Sequence, residues 1–405
     1  MNSATRVVIV GGGPVGLLAA VLLAREPALQ ITVLEPGAEP GPLDDALGFR
    51  VYALSRASER VLSHVGAWPV LVPRAGAYDR MVIWESGHGA TGPGSLVFDA
   101  EDNAEPNLGH IVDHEGLCFS LWQKAAECDN VCLRFGIGVE ALDREACNIR
   151  GSDDHEYGFD LLIGADGGAS QVRAAFDIPV YEHGYQQRAL VGHVATAEPH
   201  DYTAWQCFLP TGPVALLPMI NGQCGLVWSV DDAEAEVLAA MSVDDFNARL
   251  TEATESVLGK VTLTTQRGVF PLKFLHAERY CDVGMVLVGD AAHTVHPLAG
   301  QGLNLGILDA AALAEVVGEA LAGGQHIGDR RVLRRYERWR KSENLLMAIG
   351  LDGLHRLFKL SAPGLPPLRR LGMAALNRAP FARRLLIAKA MGLRGELPNV
   401  ARAAA

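Results

Sequence analysis

The sequence predicts an α/β fold: a Rossmann-like parallel sheet, split by an inserted and mostly antiparallel β-sheet, with a helical tail at the C-terminus. Three observations predict it. First, a β-branched run at residues 6–10 leads into Gly11-Gly12-Gly13-Pro14-Val15-Gly16, then into an apolar helical pattern, then into a second strand at 31–35 that ends in Glu35. Second, the apolar run 285–288 reads as another buried strand, and a glycine-rich turn and a long Ala-rich helical pattern at 303–321 follow it. Third, residues 185–274 between them alternate apolar and polar in short segments, the period of half-buried antiparallel strands.

Length and composition set the bounds. A chain of 405 residues exceeds one ordinary core, so at least two substructures are expected. Hydrophobic residues at 49% and charged residues at 20% describe a globular chain. No apolar run reaches bilayer length. The glycine-rich turn after Val10 breaks the layout a signal peptide needs, so a cytoplasmic location is expected. Seven cysteines, an odd number without a CxxC pair, argue against a disulfide framework or a zinc site; Cys128 and Cys132 would share a face if their stretch were helical, and no metal is expected. The net charge of −12 argues against nucleic-acid binding. That charge is uneven: residues 345–405 carry ten Lys/Arg against two acids, or +8, which leaves −20 for the rest.

The elements follow in order. Gly11, Gly13 and Gly16 fit G-x-G-x-x-G, with Glu35 at the end of the next strand. The first glycine allows the tight turn, the second lets a pyrophosphate approach, the third lets helix and strand pack, and the acid would meet a ribose. Pro14 suits the first turn of a helix. Residues 49–55 lead into a helical stretch up to Trp68, and Arg50 before it reaches a phosphate or stands as a surface arginine. Residues 78–100 alternate as antiparallel strands, 116–127 read as a helix and 131–135 as a strand. Residues 159–164 form a further buried strand closing on Ala165-Asp166-Gly167, where Asp166 either binds a ribose or caps the turn. Residues 243–258 read as an amphipathic helix beside the inserted sheet. The last glycine-rich turn, residues 289–304, puts backbone N–H groups and a helix N-terminus at one spot, suited to an anion or an electron-rich ring.

Gly11-x-Gly13-x-x-Gly16, Ala165-Asp166-Gly167 with Ser170-x-Val172-Arg173, and Gly289-Asp290 through Asn304 stand in an order that resembles the single-component FAD-dependent aromatic hydroxylases of the para-hydroxybenzoate hydroxylase type. More narrowly, the chain resembles the UbiH/UbiI/UbiF group of ubiquinone-biosynthesis hydroxylases. That likeness rests on residues 50–55 (RVYALS), 105–109 (EPNLG), 208–213 (FLPTGP), 296–304, 336–340 (YERWR) and 352–354 (DGL).

The resemblance implies a glutathione-reductase-like FAD-binding domain over 1–75, 101–180 and 275–345, a substrate domain over 76–100 and 181–274, and a basic helical tail over 346–405. It implies that Gly11, Gly13, Pro14, Val15 and Gly16 face the FAD pyrophosphate and Glu35 the adenosine ribose. Arg50 would lie near the FAD. Asp290 would contact the ribityl–pyrophosphate part, and the backbone of Gly300, Gln301, Gly302, Leu303 and Asn304 the pyrimidine edge of the flavin. Asp166 belongs to a motif linked to both FAD and NAD(P)H. Pro297 and Gly300 would stand next to the ring, with no catalytic base identified. His293 and His296 are expected to be hydrogen-bonded and to shape the turn. The implied chemistry is hydroxylation of a (poly)prenylated phenol or quinol with NAD(P)H and O2 through a flavin C4a-hydroperoxide. Without a second GxGxxG, NAD(P)H would bind transiently at the FAD site.

One departure stands out. At residues 111–117 (IVDHEGL) the group commonly carries Asn-Arg where this chain has His114-Glu115, and that arginine usually helps to hold FAD. Substrate contacts are expected from the inserted sheet, with Trp205, Phe208 and Leu216 as candidates that equally suit its core. Two other functions remain open at this level: hydroxylation of a soluble aromatic, and a non-catalytic FAD-binding scaffold. In the tail, Leu351, Leu354, Leu357 and Phe358 are expected to pack on the body. Residues 381–393 combine Leu385, Leu386, Ile387 and Met391 with Arg383, Arg384 and Lys389, which suits either a peripheral membrane surface, a partner of a biosynthetic complex, or docking on the acidic body.

Overall fold

A computed structural model describes residues 4–403 apart from 45, 93, 297–299 and 361–363. The parallel sheet runs in the order Cys281–Asp282, Met285–Leu287, Leu161–Gly164, Thr5–Val10, Leu29–Glu35, Val131–Phe135, with only the edge pair antiparallel. These strands are buried on both faces, which is why they read as continuous apolar runs. The helices Pro14–Leu23, His114–Ala126 and Gln301–Ala322 contribute their apolar residues to the same core.

Register then gathers the turns. Val10 pairs with Gly164, and Gly164 with Leu287. Three neighbouring strands therefore release the chain at one end of the sheet, into Gly11, Ala165 and Val288. That end, outside the carboxyl ends of parallel strands, is where such sheets bind ligands.

The second sheet is built on the 17-residue strand Val180–Thr196. It runs in the order His293–Thr294, Gly268–Ala277, Val180–Thr196, Cys224–Asp231, Gly212–Pro218, Thr203–Leu209, Arg80–Glu85, Leu96–Asp99. Its own core includes Val194, Trp228, Phe246 and Leu250, the last two from the helix Val243–Ala253. That helix ends five residues before the sequence predicts, because Glu255 and Ser256 turn left-handed, with φ of 52° each. The two sheets are stitched at Leu275–Thr294 and His276–His293, so the chain just past Asp290 belongs to the second sheet. Cys132 lies in the strand Val131–Phe135 and Cys128 beyond the end of His114–Ala126, so the two share no helix face. Among the described residues no group of three His, Cys, Asp or Glu could hold a metal ion.

The tail forms Arg330–Lys359, Leu365–Asn377 and Pro380–Ala390 and packs on the body through charge as well as apolar contact. Arg383 pairs with Asp102 at 2.8 Å, Lys359 with Asp231 at 3.0 Å, Arg369 with Glu85 and Lys389 with Glu343. Leu351 is buried and Phe358 stacks on Phe208, with ring centroids 3.8 Å apart, whereas Leu354 and Leu357 are exposed. Ile387 and Met391 are buried against Ala100 and Leu108, so this part of the basic helix faces the body.

Candidate functional site

The first turn is fixed by close backbone approach. Gly11 has φ +108°, and a Cβ there would stand 2.3 Å from the Ala165 oxygen. A Cβ on Gly16 would stand 1.9 Å from the Gly11 oxygen, so only glycine lets the helix start against the strand. Gly13 is the N-cap of Pro14–Leu23 and offers no side-chain cap, which leaves the first N–H groups of the helix for another partner. Val15 wedges against Gly289 and Gly306 and ties this helix to the last turn. Glu35 accepts the Gly12 N–H at 2.6 Å and the Gly37 N–H at 2.8 Å, so the acid that ends the second strand also braces the glycine turn.

A cavity of about 540 Å³ opens beside this turn, lined by Gly12, Gly13, Glu35, Gly48, His114 and Glu115 among others. A larger hollow along Val243–Ala253 contains none of these residues. Glu115 stands in the first turn of His114–Ala126, where a helix dipole favours an acid. Asp113 caps that helix by accepting the Gly116 N–H at 3.1 Å, and Arg74 pairs with Asp113 at 2.9 Å while donating to the Asp44 and Ala46 carbonyls. Arg74 is therefore committed to protein groups. Arg50 is not: its guanidinium carbon lies 5.0 Å from the Tyr52 ring centre, and among the described residues it makes no ion pair. Burial, followed by the Arg50 charge, holds the His114 pKa below its usual value.

Asp166 does two things at once. One carboxylate oxygen accepts the Val172 N–H at 3.1 Å, the capping reading, and the other is buried without a partner among the described residues. Arg173 donates to the Ala291 carbonyl and the Gly168 carbonyl, both at 2.8 Å, and so clamps the second turn to the third. Asp290 is exposed at the surface, yet the protein packed around it removes part of its solvent. Loss of solvent raises its pKa, against the pull of His293, Arg50 and Lys273.

Gly300 caps Gln301–Ala322 in a left-handed conformation, φ +61°, again with no side-chain cap. The side chain of Asn304 is spent on structure: it accepts from Ser55 N–H at 2.9 Å and Ser58 Oγ at 2.7 Å, and donates to Ala53 O at 2.9 Å and Gly300 O at 3.1 Å. Gln301 donates to the Ala390 carbonyl at 3.4 Å, which joins this turn to the tail. Leu303 packs against the main core, and a Cβ on Gly302 would find only Val295, at 3.8 Å. Pro297 lies outside the described residues.

Behind the turn lies a polar centre with no solvent. Asp309, fully buried, accepts from Gly289 N–H at 3.1 Å, Arg340 Nε at 2.8 Å and Asn344 Nδ2 at 3.0 Å, and meets His293 Nε2 at 2.5 Å. Burial alone would raise its pKa, but His293 and Arg340 hold it well below the ordinary carboxylate value. His293 thus has the hydrogen-bonded role expected of it. His296 does not: it is buried, and among the described residues both ring nitrogens lack a partner. Asp309 left a sequence signal, a lone acid inside an Ala-rich apolar helix. Its partner Arg340 lies within the 336–340 segment, although nothing there indicates the contact.

The three substrate candidates do not line one pocket. Trp205 and Leu216 are cross-strand partners belonging to the second sheet's own core, and Phe208, an odd number of residues from Trp205, projects from the opposite face onto Phe358. Alternation along a strand decides this, because only one of its faces can meet the core.

Residues 4–344 match the FAD binding domain family. Over 97% of its length the chain is 36% identical to all of the 3-demethoxyubiquinol 3-hydroxylase of Escherichia coli. It is 34% identical to the ubiquinone hydroxylase UbiL of Rhodospirillum rubrum, over 95% of this chain and 89% of that one. Among solved structures, PqsL, a probable FAD-dependent monooxygenase from Pseudomonas aeruginosa, superposes with a TM-score of 0.76 at 24% identity, covering 91% of this chain and 99% of that one. The p-nitrophenol 4-monooxygenase PnpA from Pseudomonas putida gives 0.77 at 19%, covering 96% and 99%.

Proposed function

Because the chain belongs to the FAD binding domain family and is an FAD-dependent monooxygenase of that family, we propose that it uses NAD(P)H and O2 to hydroxylate the aromatic ring of a prenylated phenol or quinol in ubiquinone biosynthesis. The observation that carries the cofactor part is the pair of glycine-capped helix N-termini without side-chain caps, at Gly13 and Gly300, which follow Thr5–Val10 and Met285–Leu287, the two strands that flank Leu161–Gly164. Such termini suit a pyrophosphate at one and an electron-rich ring edge at the other. The Asp166 oxygen and the Arg50 guanidinium, which lack partners among the described residues, fit the same ligand.

On this reading Gly11 to Gly16 hold the pyrophosphate and Glu35 meets the adenosine ribose while bracing Gly12. Asp290 meets the cofactor's middle. The backbone of Gly300 to Asn304 meets the pyrimidine edge, pinned in place by the four hydrogen bonds of Asn304. Arg50 supplies the cation that the Glu115 position lacks. Bound FAD supplies the redox and oxygen-transfer chemistry, and the protein supplies position, a dry site and a fixed dipole. The aromatic, ubiquinone-type substrate is supported by the names and near full-length match of the relatives. Lipid-quinone mass spectrometry of a strain lacking this gene tests it: a precursor short of one ring oxygen should accumulate, and a normal quinone profile would overturn the assignment.

A prenylated precursor partitions into bilayers, and we place the protein at the periphery of the inner membrane. Among the described residues no helix is long and apolar enough to cross a membrane. The outer side of the tail, however, exposes Leu346, Leu368, Leu371, Phe381 and Leu386, and among the described residues Arg378 and Arg384 make no ion pair. Of the set the sequence suggests, this surface keeps Leu386 and Arg384, whereas Ile387 and Met391 are buried. The full chain should co-sediment with phosphatidylglycerol vesicles, and Leu368→Ser, Leu371→Ser and Phe381→Ser together should lower that binding about tenfold or more, since each apolar side chain is worth more than 1 kcal/mol when buried. Equal binding by the triple variant would rule out this face.

A further inference from the structure

His296 lies four residues before the Gly300 turn and is 1% exposed, yet among the described residues neither ring nitrogen has a hydrogen-bond partner. Beside it the hydroxyl of Tyr185, 8% exposed, is equally unpartnered. The two rings meet edge-on, with centroids 4.8 Å apart and planes at 81°. His355 of the helix Arg330–Lys359 stacks on His296 at 4.5 Å and meets Tyr185 at 4.9 Å. Three separate parts of the chain therefore converge: the turn before Gly300, the long strand of the second sheet and the C-terminal helix. Tyr185 packs with Val295 and with Leu305 from the first turns of Gln301–Ala322, which places the group against the helix start assigned to the ring. Tyr185 is aimed there by a β-bulge between Gly184 and Gln187, with Gln186 left-handed at φ 54°. Bulges beside functional sites commonly re-aim one side chain in this way.

Buried polar atoms without partners are costly, so a site that keeps three together is suited to a ligand that satisfies them. We propose that His296 and Tyr185 read a ring hydroxyl group, so that the site accepts a neutral hydroxyarene and rejects its methyl ether. The inference rests on the function proposed above and specifies what its substrate must present. The chemistry selects the class. Burial, then the neighbouring His355, pushes the His296 pKa down to about 3, so the imidazole is neutral and offers one donor and one acceptor. A hydroxyl uses both; a methyl ether cannot donate. A carboxylate is disfavoured, because the charge nearest Tyr185 is Asp352, close enough to help raise the Tyr185 pKa beyond the effect of burial; one of its oxygens pairs with Arg356 at 2.8 Å and the other stands 3.5 Å from His183 Nε2.

FAD-loaded protein in detergent, titrated with 2-farnesylphenol and with its methyl ether and followed by the flavin absorbance, tests the proposal. The phenol should bind on the order of 10- to 100-fold tighter, the range for stranding buried partners. Tyr185→Phe, which removes one oxygen, and His296→Leu should each bring the ratio towards unity, and His296→Gln, which keeps a donor and an acceptor, should recover part of it. FAD content checks folding in each variant; should His296→Leu not fold, Tyr185→Phe decides alone. Equal binding of phenol and ether by the unaltered protein, or an undiminished ratio in a folded variant, overturns the hydroxyl reader and leaves the proposed function standing. Binding of neither compound overturns both.

Discussion

Asp309→Ala is expected to destabilise the protein by about 3–5 kcal/mol, the range for removing one partner of a buried pair and stranding the other charge. Arg340 is 1% exposed and would keep its charge with only the Asn344 amide oxygen to answer it. His293 would lose its one side-chain hydrogen-bond partner among the described residues, and the Gly289 N–H its acceptor, so the turn assigned to the cofactor should loosen together with the core. Urea unfolding in the presence and absence of FAD measures both effects. A paired replacement, Asp309→Leu with Arg340→Met, should recover much of the loss, because the desolvation cost of both charges then disappears. A single-variant loss below about 1 kcal/mol would show that the carboxylate contributes no more than an ordinary hydrogen bond.

Mild acid is expected to destabilise the protein through two buried histidines. Loss of solvent pushes the His276 pKa down to about 4, with further repulsion from His293 and Lys341, and that of His296 down to about 3. The unfolded chain takes up these protons near pH 6.5, and the folded chain does not. Stability from the two is therefore complete above pH 6.5 and drains away as pH falls towards 4 and 3. Between pH 7 and 5.5 the loss amounts to about 2–3 kcal/mol for the pair. His276 also faces Tyr280, whose hydroxyl meets Nε2 at 3.1 Å, and Asp309, whose charge opposes the shift. Urea midpoints at the two pH values provide the check. A double variant, His276→Gln with His296→Gln, should show a flatter pH dependence than the parent; an unchanged slope would assign the acid sensitivity to other groups.

Much of the fold was legible because its signals are local. The strand at Thr5–Val10, the helix at Pro14–Leu23 and the acid at Glu35 are spaced by the geometry of one βαβ unit, and the structure pairs those strands as expected. The alternation in residues 185–274 likewise marked the second sheet. The sequence left alternatives open where local pattern underdetermines packing. Trp205, Phe208 and Leu216 are all apolar members of strands, and only sheet register separates the two faces they occupy. Ile387 and Met391 made an amphipathic pattern that suited a membrane or the body equally, and Ala100 and Leu108 decided it. For His296, sequence could place it near the turn but could not say that its nitrogens would find no partner.

By itself the sequence determined where the backbone must come close. Gly11 and Gly16 can be nothing larger, because steric exclusion acts between atoms only a few residues, or one strand pairing, apart. Only the tertiary structure decided where charge and hydrogen-bonding capacity come together. Asp309 and Arg340 are 31 residues apart along the chain, and Tyr185, His296 and His355 come from three separate elements. Their meeting depends on a bulge, a helix crossing and a strand register. Electrostatic and desolvation energies follow distance in space, and no periodicity along the chain encodes that distance.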